Sequence, residues 1–166
     1  MSEHKESTFV DHVVDVRRVT KVTKGGKRFA FSAFVVTGDK QGRVGVACGK
    51  GREVSQAITK ATNKARKSLI TVEMRGVTLP YNVHGRHGAS RVILRPASKG
   101  TGAIAGGAVR AVLSAVGVQD ALTKSLGSAN GFNMVKATLN ALSKLRSAGQ
   151  LAKMRGKTIK EVVKGA

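Results

Sequence analysis

The chain has 166 residues, enough for one ordinary domain or two small ones, and 41% of them are hydrophobic, which is enough for a packed core. Thirty Lys and Arg face nine Asp and Glu, a net charge of +21. The single cysteine, Cys48, excludes an internal disulfide framework, and no apolar run reaches the ~18 residues of a membrane span.

The charge is unevenly spread. Residues 1–16 sum to −3, residues 17–75 to +12 and residues 76–166 to +12. A small globule this cationic repels itself unless a polyanion neutralises it. Nucleic acid is the expected partner. A membrane surface is not, because no Lys/Arg-rich amphipathic helix dominates.

In chain order, residues 1–10 read as a flexible tail, acidic and polar and unlike a signal peptide, so a cytoplasmic location is expected. Val13–Thr23 reads as a β-branched basic strand, and "KGGK" (24–27) as a turn. Arg28–Thr37 alternates as a second strand, and "GDKQG" (38–42) is a second turn. Arg43–Cys48 closes an antiparallel meander, with Cys48 as a small buried residue. A helix is predicted from Glu53 to Ile70, with Val54, Ala57, Ile58, Ala61, Ala65 and Leu69 inward and Lys60, Lys64 and Lys67 as a basic stripe.

The second half predicts strands at Val77–Val83 and Arg91–Leu94, a helix at Gly107–Val116 and a strand at Ala121–Leu126. A further helix follows, capped by Ser128 or Asn130, with Phe132, Val135, Leu139, Leu142 and Leu145 inward. A basic tail contains the capping-box sequence "TIKE" at Thr158–Glu161. This gives an α+β organisation: tail 1–10, a three-strands-plus-helix unit 11–74, an α/β unit 75–147 and a basic tail 148–166.

Three stretches bear on function. "KGTGAIAGG" (99–107) has the strand–glycine–helix order of a nucleotide loop. Its spacing is one residue longer than the dinucleotide fingerprint, Pro96–Lys99 intervene after the strand, and Asp120 precedes the next strand rather than following it. A cofactor site is not expected. Backbone N–H groups there could instead meet a phosphate, flanked by Lys99 and Arg110, or Gly106 and Gly107 could let two backbones approach closely. The hairpin tip, with Lys21, Lys24, Gly25, Gly26, Lys27 and Arg28, reads as a finger for RNA phosphates. Lys50 and Arg52 at the first helix start, with Lys60 and Lys64 along it, suit a phosphate groove. His84 and His87 lie in what reads as a basic loop with Arg86 and Arg91 nearby. They lack a third ligand in sequence, so no metal is expected, and no nucleophile–base pair suggests an enzyme.

Together "VTKVTKGGKRFAFSAFVVTGDKQGRVGVACGKGREVSQAITKATNKARKSLI", "RVILRPASKGTGAIAGGAVRAVLSAVGV", "KSLGSANGFNMVKAT" and "MRGKTI" resemble the family of the fifth protein of the bacterial small ribosomal subunit, over about residues 11–160. The resemblance implies a domain like the double-stranded-RNA-binding fold. It also implies a C-terminal α/β domain with a left-handed βαβ crossover, against the usual hand. It implies no cofactor and no homo-oligomer. Implied partners are small-subunit ribosomal RNA at the body–head junction, the fourth and eighth ribosomal neighbours, and messenger RNA near its entry path. It tilts Gly106, Gly107 and Arg110 toward a protein interface and leaves Lys99 for RNA. The remaining readings are a double-stranded-RNA-binding protein outside the ribosome and a dinucleotide-dependent oxidoreductase. In the family Asn-Pro usually stands where this chain has Asn130-Gly131.

Overall fold

Period-two patterning over the first forty residues builds a long hairpin. In the computed structural model, which describes residues 9–164, β1 (Val10–Thr23) pairs antiparallel with β2 (Gly26–Gly38). β3 (Arg43–Gly51) then covers only the Phe31–Gly38 half of β2. Of the tail expected at residues 1–10, residues 1–8 lie outside the described residues, and Val10 already belongs to β1. Between Val13 and Asp15 the register of β1 shifts by a bulge, and Val14 joins the core.

Helix α1 (Val54–Lys67) lies on β3 and β2 through Ala57, Ala61 and Ala65, all fully buried. That close approach requires glycine beneath it. A Cβ at Gly45 would overlap the Ala65 carbonyl, and one at Gly49 the Ala57 carbonyl. The predicted helix ran on to Ile70. It ends at Lys67, and β4 (Leu69–Thr71) pairs with Arg43–Gly45 as a fourth strand of sheet 1. Leu69 and Ile70 are β-side chains at a sheet edge, not the last turn of the helix. Val54 is exposed and Ile58 half-buried, so the buried face is narrower than the apolar stripe.

The second sheet has the order β5-β6-β8-β7: β5 (Val83–His87), β6 (Ser90–Pro96), β7 (Ala103–Ile104) and β8 (Ala121–Gly127). β7 and β8 are parallel neighbours, joined through α2 (Gly107–Val116), the span expected from sequence. The strand predicted at Val77–Val83 is displaced. The Val77 and Thr78 backbone bonds only to Arg75 and to the Gln119–Asp120 turn, and the strand is Val83–His87, where a basic loop is expected. Its inward positions are Val83, Gly85 and His87. Glycine at the middle one hides the alternation, and it is there because a Cβ would overlap the Ala137 carbonyl of α3.

Helix α3 (Gly131–Leu142) starts at Asn130, whose Oδ1 accepts the Phe132 N–H at 3.2 Å, so the cap holds with Gly131 following it. The tail holds two helices rather than one. α4 (Ala148–Arg155) has a Ser147/Gln150 capping box, and α5 (Ile159–Lys164) follows the expected Thr158/Glu161 pair.

The two sheets share one core. Phe34, Val36 and Val44 of sheet 1 pack in the same cluster as Val109, Val112, Leu113 and Val116 of α2 and Val135 and Leu142 of α3. Phe34 and Phe132 meet across the junction with ring centroids 4.8 Å apart, worth about 0.5–1.5 kcal/mol beyond their area. The turn between β2 and β3 closes the joint: Lys40 N–H and Gly42 N–H donate to the Ala115 and Val116 carbonyls at the end of α2. These bonds satisfy carbonyls that a helix end leaves open.

Candidate nucleic-acid interface

β2 extends five residues, Gly26–Ala30, beyond its pairing with β3, so the hairpin projects about 17 Å as a bare two-stranded ribbon. Residues 16–31 contain no acid and six cations: Arg17, Arg18, Lys21, Lys24, Lys27 and Arg28. All six are exposed. Among the described residues, Arg17 is the one of the six held by a carboxylate, Asp15, at 2.6 Å. Lys21 and Arg28 stand directly opposite each other across the ladder, and like charges so placed cost stability. Lys24 and Gly25 form the turn, and Gly26 opens β2 at φ 129°. The arrangement is one that a polyanion relieves.

The register also sets the faces. Positions 33, 35 and 37 of β2 and 45, 47 and 49 of β3 look toward α1, and the same parity brings Arg18, Lys27 and Phe29 to that side. Lys21, Arg28 and Arg17 take the opposite side. Lys50 and Arg52 are exposed at the start of α1, where Gly51 is paired with Phe31 at the root of the ribbon. Glu53 is the N-cap residue and makes no side-chain cap bond. Lys60 and Lys64 are exposed one turn apart on α1. Arg66 is committed elsewhere, to Asp11 at 2.8 Å, which ties the helix end to β1.

Arg86 and Arg91 prove to be strand residues. They are cross-strand partners on the outer face of sheet 2, opposite the face covered by α2 and α3. The same face carries Arg95 and Lys124, set among Ile93, Leu122 and Leu126. Sequence reading missed Arg95 and Lys124. The signal for Arg95 is its alternation with buried residues in β6, whereas Lys124 joins the group only through the register of β8 on β6. His84 shares that outer face while His87 lies against the Phe132 ring at 6.5 Å, so H-x-x-H is split across the sheet. No group of three potential metal ligands occurs among the described residues.

The glycine loop already holds an anion. Gly100 and Gly102, at φ 90° and 78°, donate their N–H groups to Asp120 Oδ1 at 3.1 and 2.8 Å. Asp120 is 4% exposed. At Gly100 and Gly102 the chain thus supplies its own carboxylate, and a dinucleotide finds that position filled; the N–H groups at the start of α2, where a phosphate contact is expected, are not part of this latch. Lys99 remains exposed beside the loop. Gly106 and Gly107 have open space where a Cβ would be, so close packing within this chain does not explain them. Arg110 is exposed one turn further along α2.

The geometry defines a class: a two-sheet α+β protein with cationic open faces. Comparison with known proteins identifies the family. Residues 9–73 match the family model "Ribosomal protein S5, N-terminal domain" and residues 85–155 match "Ribosomal protein S5, C-terminal domain". The chain is 52% identical over 162 residues to small ribosomal subunit protein uS5 of Paramagnetospirillum magneticum, covering 97% of this chain and 77% of the relative. It is 51% identical over 161 residues to the uS5 of Azorhizobium caulinodans, covering 96% and 87%. Against the uS5 of Methylorubrum extorquens strain PA1 identity is 54% over 155 residues, covering 93% and 81%. The chain belongs to the ribosomal protein S5 family.

Proposed function

We propose that this chain is a structural, non-enzymatic constituent of the small ribosomal subunit, located in the cytoplasm within the ribosome, that binds small-subunit ribosomal RNA at the body–head junction. The observation that carries the reading is the acid-free ribbon with Lys21 opposite Arg28. A polyanion relieves its repulsion. Phosphates neutralise Lys21, Lys24, Lys27 and Arg28 at the ribbon, Lys50, Arg52, Lys60 and Lys64 at α1, and Arg86, Arg91 and Lys99 on the second unit, releasing counterions. The shared core and the bonds from the β2–β3 turn to α2 fix these surfaces relative to each other. RNA segments bound to both are then held in one geometry, which is the physical content of a role in assembly. Gly106, Gly107 and Arg110 face the fourth protein of the subunit, at an interface that bears on decoding accuracy, and the chain also meets the eighth protein and helps line the messenger RNA entry path.

Sedimentation of tagged protein from growing cells tests this. Co-migration with small subunits at near one copy each is expected. Migration as free protein that binds duplex RNA would favour the non-ribosomal alternative.

A further inference from the structure

The ribbon carries more than charge. On its α1 side, Arg18, Thr20 and Val22 of β1 stand opposite Phe31, Phe29 and Lys27 of β2. Phe29 is 52% exposed and Val22 72%. The chain has five phenylalanines, and the other four are buried or half-buried. At this point the ribbon is only two strands wide, with no core on that side to receive a ring. The Arg18 guanidinium sits 4.7 Å from the Phe29 ring centroid, a cation–π contact that orients both groups.

A duplex backbone is held by charged and polar groups, and an exposed Phe ring offers it none. An unpaired nucleotide uses both: its base stacks on an aromatic or guanidinium plane while its phosphates meet cations. We propose that Phe29 is a stacking platform for one unpaired RNA base, bulged or looped out of a helix. Arg18 extends the platform, and Lys27 meets the adjoining phosphate. This rests on the RNA-binding reading and adds the state of the ligand.

The test uses the full chain and two RNA duplexes that differ by a single bulged 2-aminopurine. The bulged duplex binds roughly fivefold to a hundredfold tighter, the range stacking supplies, with quenched 2-aminopurine emission. Phe29→Trp keeps both effects. Phe29→Leu, which is exposed and leaves the thermal melt unchanged, keeps binding to the paired duplex but loses the preference and the quenching. Retention of the preference in Phe29→Leu, or equal binding of both duplexes by the wild-type chain, overturns the platform. Retained preference in Phe29→Leu with lost co-sedimentation on small subunits overturns it too and gives the ring to a protein neighbour. Failure of the wild-type chain to bind either duplex would instead count against the RNA-binding reading.

Discussion

The Asp120 carboxylate closes on the backbone N–H of Gly102 at 2.8 Å and takes Gly100 with it at 3.1 Å. The same residue's carbonyl accepts the Thr78 hydroxyl at 2.6 Å, and Thr78 Oγ1 accepts the Ala97 N–H. One turn therefore ties the 96–102 loop, the 77–79 segment and the start of β8 together. Asp120→Ala leaves two loop donors without their acceptor. A loss of about 1–3 kcal/mol in urea unfolding is expected. Asp120→Asn keeps a carbonyl acceptor and loses less.

Helix α1 rests on glycines. Gly49→Ala pushes a methyl into the Ala57 carbonyl, and repacking costs about 1–3 kcal/mol, with a lower thermal midpoint. Gly107→Ala is the contrast. Nothing lies within 4 Å of its Cβ position and it is the first residue of α2. That variant is as stable as the wild type or up to about 1 kcal/mol more stable. On the proposed protein interface it incorporates less well into small subunits, a separation that competition between tagged copies measures.

Asp39 gives the β2–β3 turn a pH dependence. Burial alone would raise its pKa. The Arg43 side chain at 2.6 Å and the Gln41 and Arg43 N–H groups outweigh burial, and the net shift is downward. A folded pKa below the unfolded one means stability that is complete above the unfolded value, about 3.9, and lost as pH falls through the folded value. Asp39→Asn is less stable than the wild type at neutral pH, and the gap narrows in acid. Urea titrations at pH 7 and at pH 3 read the difference.

On the proposed RNA-binding reading, the outer face of sheet 2 adds two cations to the set that meets phosphate. Arg95 and Lys124 are exposed, and neither has a salt-bridge partner among the described residues. Arg95→Ala with Lys124→Ala leaves the melt unchanged and lowers the salt slope of RNA binding by about two, if each meets one phosphate. An unchanged slope would assign the face to protein.

Much of this was legible in the sequence because period and punctuation agreed. Alternation around "KGGK" set the hairpin, and the Gly107–Val116 pattern set α2 to the residue. The errors have two physical sources, glycine used for packing and strand pairing that no local pattern carries. Gly85 occupies an inward strand position with no side chain to count, so β5 read as a loop. The three residues of β4 owe their strand to pairing with β3, which no local pattern carries. The site divides the same way. The ribbon's charge is local and visible, whereas the grouping of Arg95 and Lys124 with Arg86 and Arg91 needs the sheet register. The Asp120 latch needs a contact 18 residues away in sequence.

The ribbon as a phosphate-binding finger is the central claim, and the salt dependence of RNA affinity for Lys27→Ala with Arg28→Ala tests it most directly. The double variant folds as the wild type does, since both side chains are exposed on a two-stranded ribbon. Its plot of log affinity against log salt is shallower by about two. A slope and an affinity both equal to those of the wild type would contradict the account.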